Sequence, residues 1–178
     1  SMKPPATRDF LLLGMVLAIA VALKAHYAQC STADLAWLLD PVRRIVGFFT
    51  GSPSHFDPDL GYHFPQLHIT IDRSCSGLNF LVMAFCMIGI STLSFYRRLG
   101  PQVLALAIGA LATYLLTLGA TSSRILIAIR SWQLREIYPW LASDRMHLLQ
   151  GVFVYLFFLI LFYLLSTFLH QKMSQRYA

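Results

Sequence analysis

Four long apolar runs alternate with polar segments along the chain, and this pattern governs the prediction of the fold. A helix needs roughly 17 to 25 residues to cross a hydrocarbon core of about 30 Å. All four runs reach that length. The pattern therefore predicts an all-α integral membrane protein with about four transmembrane helices, at Phe10–Tyr27, Leu78–Phe95, Val103–Ala120 and Leu148–Leu169.

The composition agrees with a membrane protein. Of the 178 residues, 57% are hydrophobic and 12% are charged, and the mean hydropathy is +0.60. The longest polar interval, Gly51–Ser76, is too short to bury a core of its own, so we predict a single membrane domain over residues 1–178. The net charge of +6 then favours contact with lipid headgroups over binding to nucleic acid.

The basic residues predict the orientation in the membrane. Three basic sites lie on one side of the four spans, and the positive-inside rule makes that side cytoplasmic. The segments 28–76 and 121–147 then lie outside, and all three tryptophans fall in them, as an interfacial aromatic belt would require. The basic sites are Lys3 with Arg8, Arg97 with Arg98, and Lys172 with Arg176, and the tryptophans are Trp37, Trp132 and Trp140.

The first outer segment contains the signals of a short amphipathic helix. Asp40 is a good N-cap and Pro41 suits the first helical position. Four apolar residues then share one helical face, which we expect to lie at the outer membrane interface with Arg43 and Arg44 on the opposite face, near headgroups. The apolar face consists of Val42, Ile45, Val46 and Phe49.

Strand-like alternation follows this helix. The region Gly51–Leu60 is rich in Pro, Ser and Asp and is predicted to be a loop. Beyond it, Tyr62–Phe64 and Leu67–Asp72 can form a small outer β-hairpin around a turn at Pro65-Gln66. The hairpin leads the chain to Cys75. His55, His63 and His68 have no strong zinc-ligand spacing, so we predict neither a metal nor a cofactor.

Three residues from separate segments are candidates for catalysis at the outer end of the spans. Cys75 lies near the start of the second span, where helix N–H groups favour a thiolate. His147, at the start of the fourth span, can carry a proton from the thiol to a leaving amine. Arg124, beyond the third span, can favour the thiolate and hold the oxyanion of a tetrahedral intermediate. Together these groups would support acyl transfer through a thioester.

Non-catalytic roles stay open for the same residues. Cysteines in membrane helices are commonly small apolar packing residues, which is our interpretation of Cys86. Cys75 could pair with Cys30 in a disulfide, and Arg124 could extend to headgroups. The chain would then be a membrane scaffold or assembly subunit with a structural Cys75. A thiol redox carrier is disfavoured, because Cys75 has no partner at Cys-x-x-Cys spacing.

Several short motifs resemble those of the exosortase/archaeosortase family of membrane transpeptidases. They are Gly61-Tyr62-x-Phe64-Pro65 with Ile69-x-Ile71, then Ser-Cys75-Ser-Gly77, Ser-Arg124-Ile125 and His147-Leu-Leu-Gln-Gly151. The resemblance covers about residues 61–155. The compact, single-domain form is similar to exosortase K. Thr121 occupies the place of an asparagine often found in the family, and the chain has fewer spans than larger members.

The resemblance implies a function and a location. It implies a catalytic Cys75, Arg124 and His147 that cleave a C-terminal sorting signal of exported proteins and transfer the protein to a cell-surface acceptor. The substrates would be membrane-anchored proteins that end in a short motif, a transmembrane helix and a basic tail. The enzyme would lie in the bacterial inner membrane, with the active site on the periplasmic side.

Overall fold

The structure is a computed structural model that describes residues 7–58, 60–96, 99–133 and 144–176. This part of the chain is mostly helical and contains one small sheet. Its helices and strands, in chain order, are α1 (Thr7–Gln29), α2 (Ala36–Thr50), β1 (His55–Asp57), β2 (Gly61–Phe64), β3 (Ile69–Ile71), α3 (Leu78–Phe95), α4 (Leu99–Gln133) and α5 (Asp144–Arg176). Arg97, Arg98 and Trp140, which support the predicted orientation, lie outside the described residues.

Four of the helices are long and apolar enough to cross a membrane, as the hydrophobic pattern predicts. Helix α3 has the predicted bounds. Helix α4 is a single helix of 35 residues that contains the predicted third span and continues well beyond Ala120. At 1.5 Å per residue it is about 50 Å long, well beyond the thickness of a hydrocarbon core. Arg124 therefore lies within a continuous helix.

Helix α2 begins earlier than its capping signal predicts. Asp40 is not the N-cap, because the helix starts at Ala36 and contains Pro41. Leu38 and Leu39 are completely buried, and their burial favours the longer helix over the local cap signal, since tertiary packing supplies most helical stability. Asp40 lies one turn before Arg43 and Arg44 and pairs with both, at 2.6 and 2.8 Å.

The orientation of α2 also differs from the prediction. Its fully buried side chains are Leu38, Leu39, Val42 and Val46, so this apolar stripe packs within the protein. Phe49, predicted to share the apolar face with Val42 and Val46 at the membrane interface, is not part of this packed stripe and is 68% exposed. Arg43 does not simply extend toward solvent, because its guanidinium carbon lies 5.1 Å from the centre of the Tyr62 ring. The helix is thus held to the neighbouring sheet.

The sheet has three antiparallel strands in the order β1-β2-β3, where the sequence predicts a two-stranded hairpin. The extra strand, β1, lies in the region expected to be loop, and three residues are too few to produce a visible alternation. The second predicted strand is shorter, because Pro65–Leu67 form a turn of 3-10 helix and His68 adopts a left-handed φ of 51°. Phe64 and Ile71 are buried and anchor the sheet.

The chain groups into two compact units. The first comprises the described parts of Ser1–Ala28, Leu78–Leu115 and Leu159–Ala178. Glycines allow its helices to approach closely: a Cβ at Gly89 would lie 2.8 Å from Val16, and one at Gly109 would lie 2.9 Å from Ile88. Small residues at such crossings are typical of helix packing in membranes. Lys24 on α1 also donates a hydrogen bond to Asn79 on α3.

The second unit comprises the described parts of Gln29–Gly77 and Leu116–Phe158. It holds α2, the sheet, the segment around Cys75, the C-terminal part of α4 and the N-terminal part of α5. All three candidate catalytic positions belong to this unit.

The buried face of α2 makes a prediction about stability. Leu39→Ala should lower the free energy of unfolding by about 2–5 kcal/mol, because it leaves a cavity in a packed core. Thermal unfolding of the detergent-solubilised protein measures the loss. Phe48→Ala is the control, since Phe48 is 82% exposed and its removal should change stability little. Equal losses in both variants would contradict the observed orientation of the helix.

Candidate active site

The segment Asp72–Gly77, here called the collar, joins β3 to α3 and carries Cys75. The Asp72 carboxylate accepts hydrogen bonds from the Ser74 amide at 2.9 Å and the Ser74 hydroxyl at 2.6 Å. The Cys75 amide donates to the Asp72 carbonyl at 3.0 Å. These bonds close a tight turn with a preset shape, as side-chain bonds to nearby backbone commonly do. Cys75 is half-buried within it, three residues before α3 begins.

A second contact fixes the collar to the start of the unit. The Arg73 guanidinium donates to the backbone carbonyl of Cys30 at 2.9 Å. The Cys75 sulfur lies 3.9 Å from the Ser74 hydroxyl oxygen. Cys30, Cys75 and Cys86 are all free thiols, so the alternative disulfide between Cys30 and Cys75 is not formed. Cys30 is instead a buried side chain.

Gly77 ends the collar and lies directly against α4 and α5. Its φ of 69° is in the left-handed region, which glycine adopts without a steric penalty. A Cβ at this position would overlap the Thr121 hydroxyl and would lie 3.3 Å from the Tyr155 hydroxyl oxygen. The absence of a side chain is therefore what allows the segment of Cys75 to approach both helices.

Arg124 lies one turn after Thr121 on α4, and its side chain crosses α5. The guanidinium carbon is 5.3 Å from the centre of the Tyr155 ring, within cation–π distance. A Cβ on the buried Gly151 would lie 3.3 Å from Arg124 Cδ and 3.7 Å from Nη1. Gly151 thus leaves room for the arginine stem, and Tyr155 provides a ring for its head.

Arg124 forms no ion pair with a described acidic side chain. The ion pairs that arginines form in the described part of the chain join Arg43 and Arg44 to Asp40 on α2. Arg124 is half-buried and does not extend away from the protein as a residue that only meets headgroups would. Its N–H donors are consequently not taken by a carboxylate in this part of the chain.

His147 occupies a position on the same face of α5. It lies one turn before Gly151 and two turns before Tyr155, at the i, i+4 and i+8 spacing that shares a helical face. Its backbone belongs to the first turn of α5, and its side chain lies outside the described residues. The packing at Gly77 brings the segment that carries Cys75 close to the part of α4 that carries Arg124. The helical register places His147 on the face of α5 that carries Gly151 and Tyr155.

Other candidates from the sequence take structural roles or lie apart. His55 and His63 are directly opposite each other on β1 and β2, and His63 contacts the Thr70 hydroxyl at 3.1 Å. Among the described residues, no group of three or more His, Cys, Asp or Glu side chains is arranged to hold a metal ion.

Tyr155 is the residue of the site that sequence reasoning missed. It contacts Arg124 with its ring, and its hydroxyl lies 3.4 Å from Thr121 Oγ1. A tyrosine inside an apolar run resembles many membrane tyrosines, so composition gives no signal for it. The spacing His147-x₃-Gly151-x₃-Tyr155 is the available sign, since it places the three positions on one helical face.

The close approach at Gly77 can be tested by substitution. Gly77→Ala should lower the free energy of unfolding by at least about 1–2 kcal/mol, from the left-handed backbone alone, and the overlap with Thr121 should add to that loss. Thermal unfolding and a cysteine-accessibility assay at Cys75 measure the effect. Gly119→Ala is the matched control on α4, because a Cβ there meets open space. If Gly77→Ala unfolds at the wild-type temperature, the collar does not pack as described.

Comparison with known proteins gives no family for this chain. No protein-family model matches it, and neither a curated protein nor a solved structure shows significant similarity to it. The resemblance to the exosortases therefore depends on the short motifs around Cys75, Arg124 and His147, and it stays a hypothesis.

Proposed function

We propose that the chain is a membrane-embedded cysteine peptidase and transpeptidase of the exosortase type. Cys75 would be the nucleophile, His147 the general acid and base, and Arg124 the group that stabilises the transition state. The observation that best supports this proposal is the packing of Gly77 against Thr121 and Tyr155, one helical turn from Arg124. An arginine without a carboxylate partner among the described side chains suits the binding of a developing oxyanion.

The proposed reaction has two acyl-transfer steps. The Cys75 thiol gives its proton to His147, and the sulfur attacks the carbonyl carbon of a peptide bond in the substrate. The resulting oxyanion accepts hydrogen bonds from Arg124. Collapse of this intermediate breaks the C–N bond, and His147 returns the proton to the leaving amine. An acceptor nucleophile, or water, then attacks the thioester and releases Cys75.

The location and substrates of the enzyme follow from the same proposal. The four apolar helices would place the enzyme in the bacterial inner membrane, with the collar on the periplasmic side. Its substrates would be exported proteins with a short C-terminal motif, a transmembrane helix and a basic tail. Such a substrate would lie in the same bilayer, so encounter would be confined to two dimensions.

A labelling experiment tests the nucleophile without a substrate. In a Cys30→Ala, Cys86→Ala background, a membrane-impermeant maleimide should label Cys75 from the outer side. The rate at pH 7 should be roughly tenfold above that of a free thiol, which is only a few per cent thiolate at that pH. His147→Ala should lower this rate. A Cys75 that is inert, or that is labelled only from the inner side, would favour the scaffold with a structural cysteine.

Arginine chemistry offers a second test of the proposal. Arg124→Lys should reduce cleavage of co-expressed proteins with the expected C-terminal signal about a hundredfold, the typical effect of losing one oxyanion donor. Lysine retains the charge and loses the planar fork of donors. Immunoblots for the shortened product measure cleavage. Arg130→Lys on the same helix is the control, since Arg130 is exposed. Near-normal cleavage by Arg124→Lys would show that Arg124 contributes charge alone.

A further inference from the structure

We propose that Tyr155 is a positioning residue that holds the Arg124 guanidinium and couples it, through Thr121 and Gly77, to the segment of Cys75. The inference rests on the proposed function, because it gives Arg124 a task that requires a fixed position. Tyr155 is half-buried on α5, and its two ends contact two different parts of the site. Its ring lies against Arg124, and its hydroxyl bonds to Thr121, which lies against the end of the collar.

The first step of the argument concerns the arginine. A free arginine side chain carries about 2 kcal/mol of rotamer entropy, so an arginine that must meet an oxyanion needs a support. Carboxylates are the usual support, but a carboxylate would occupy the N–H donors that the oxyanion requires. Among the described side chains no carboxylate pairs with Arg124. The Tyr155 ring, 5.3 Å from the guanidinium carbon, is a support of a different kind.

The second step concerns the kind of contact. A ring face attracts a guanidinium through its quadrupole and takes no N–H hydrogen bond in the plane of the guanidinium. Gly151 adds to this arrangement, because its missing side chain lets the arginine stem lie close to α5. Tyr155 and Gly151 therefore hold Arg124 while its donors stay available for a substrate oxygen.

The third step concerns the tyrosine hydroxyl. It forms a long hydrogen bond, 3.4 Å, with Thr121 Oγ1, and a Cβ on Gly77 would lie 3.3 Å from it. Gly77 is the second residue after Cys75. The ring thus holds the arginine while the hydroxyl contacts Thr121, which lies against Gly77 at the end of the collar. A shift of Tyr155 would change the position of Arg124 relative to Cys75.

Chemical modification of arginine tests the positioning without relying on enzyme activity. The detergent-solubilised full chain is treated with phenylglyoxal, and mass spectrometry compares modification of Arg124 with that of the exposed Arg130. Tyr155→Leu should raise the ratio by about threefold to thirtyfold, the range expected for loss of a cation–π contact. Tyr155→Phe keeps the ring and should leave the ratio near the wild-type value. Tyr163→Leu, an exposed tyrosine on the same helix, is the control.

A second variant, in which the side chain at position 155 keeps the shape of an aromatic ring, tests the proposal if Tyr155→Leu does not fold. Pentafluorophenylalanine at position 155 matches phenylalanine in packing, but its electron-poor face no longer attracts a cation. It should raise the modification of Arg124 above that of Tyr155→Phe. An unchanged Arg124-to-Arg130 ratio in this variant and in Tyr155→Leu would overturn the proposal.

A double-mutant cycle links the positioning to the reaction. In the single-cysteine background, Tyr155→Leu should slow maleimide labelling of Cys75, and the same change in an Arg124→Gln chain should have no further effect. An equal loss in both chains would show that Tyr155 supports the fold and would overturn the positioning role. If Arg124→Gln alone leaves labelling unchanged, Arg124 does not favour the thiolate of Cys75, and the phenylglyoxal ratio still decides whether Tyr155 holds Arg124.

Discussion

The close packing of Gly77 against α4 and α5 is the constraint on which the candidate site depends. With a left-handed φ of 69° and Thr121 in the space that a Cβ would fill, only glycine fits here without strain. The collar is held from its other end by the Asp72 and Arg73 hydrogen bonds. Cys75 lies between these two anchors, so the residues on both sides of it determine its position.

Arg124 illustrates how a charged group can be held and still remain reactive. A buried ion pair would fix the guanidinium but would also satisfy its donors. The Tyr155 ring and the space at Gly151 fix it through apolar surface and the ring quadrupole. By contrast, Arg43 contacts the Tyr62 ring and also pairs with Asp40, which leaves it a structural part of α2. Among the described side chains, Arg43 has an acidic partner and Arg124 has none.

The fold predicted from the sequence is most accurate where the prediction depends on a long apolar run. Four apolar runs predict four long helices, and Leu78–Phe95 is reproduced residue for residue. The short elements are less accurate. Asp40-Pro41 has the local form of a helix start, but burial of Leu38 and Leu39 moves the start to Ala36. The strand His55–Asp57 has three residues and needs β2 as a partner, so local pattern alone does not reveal it.

For the candidate site too, the sequence predicts some features and the tertiary structure decides others. The sequence by itself determined that Cys75, Arg124 and His147 lie near the ends of apolar runs, because the runs themselves are visible as uninterrupted hydrophobic stretches. It did not determine which side chains meet, since contacts between elements depend on packing across dozens of residues. Only the tertiary structure decided that Gly77 leaves no room for a side chain beside Thr121 and Tyr155 and that Arg124 lies over the Tyr155 ring. Gly77 matters there because it has no side chain, and Tyr155 matters because of the face of its ring. Neither feature produces a periodic pattern in the sequence.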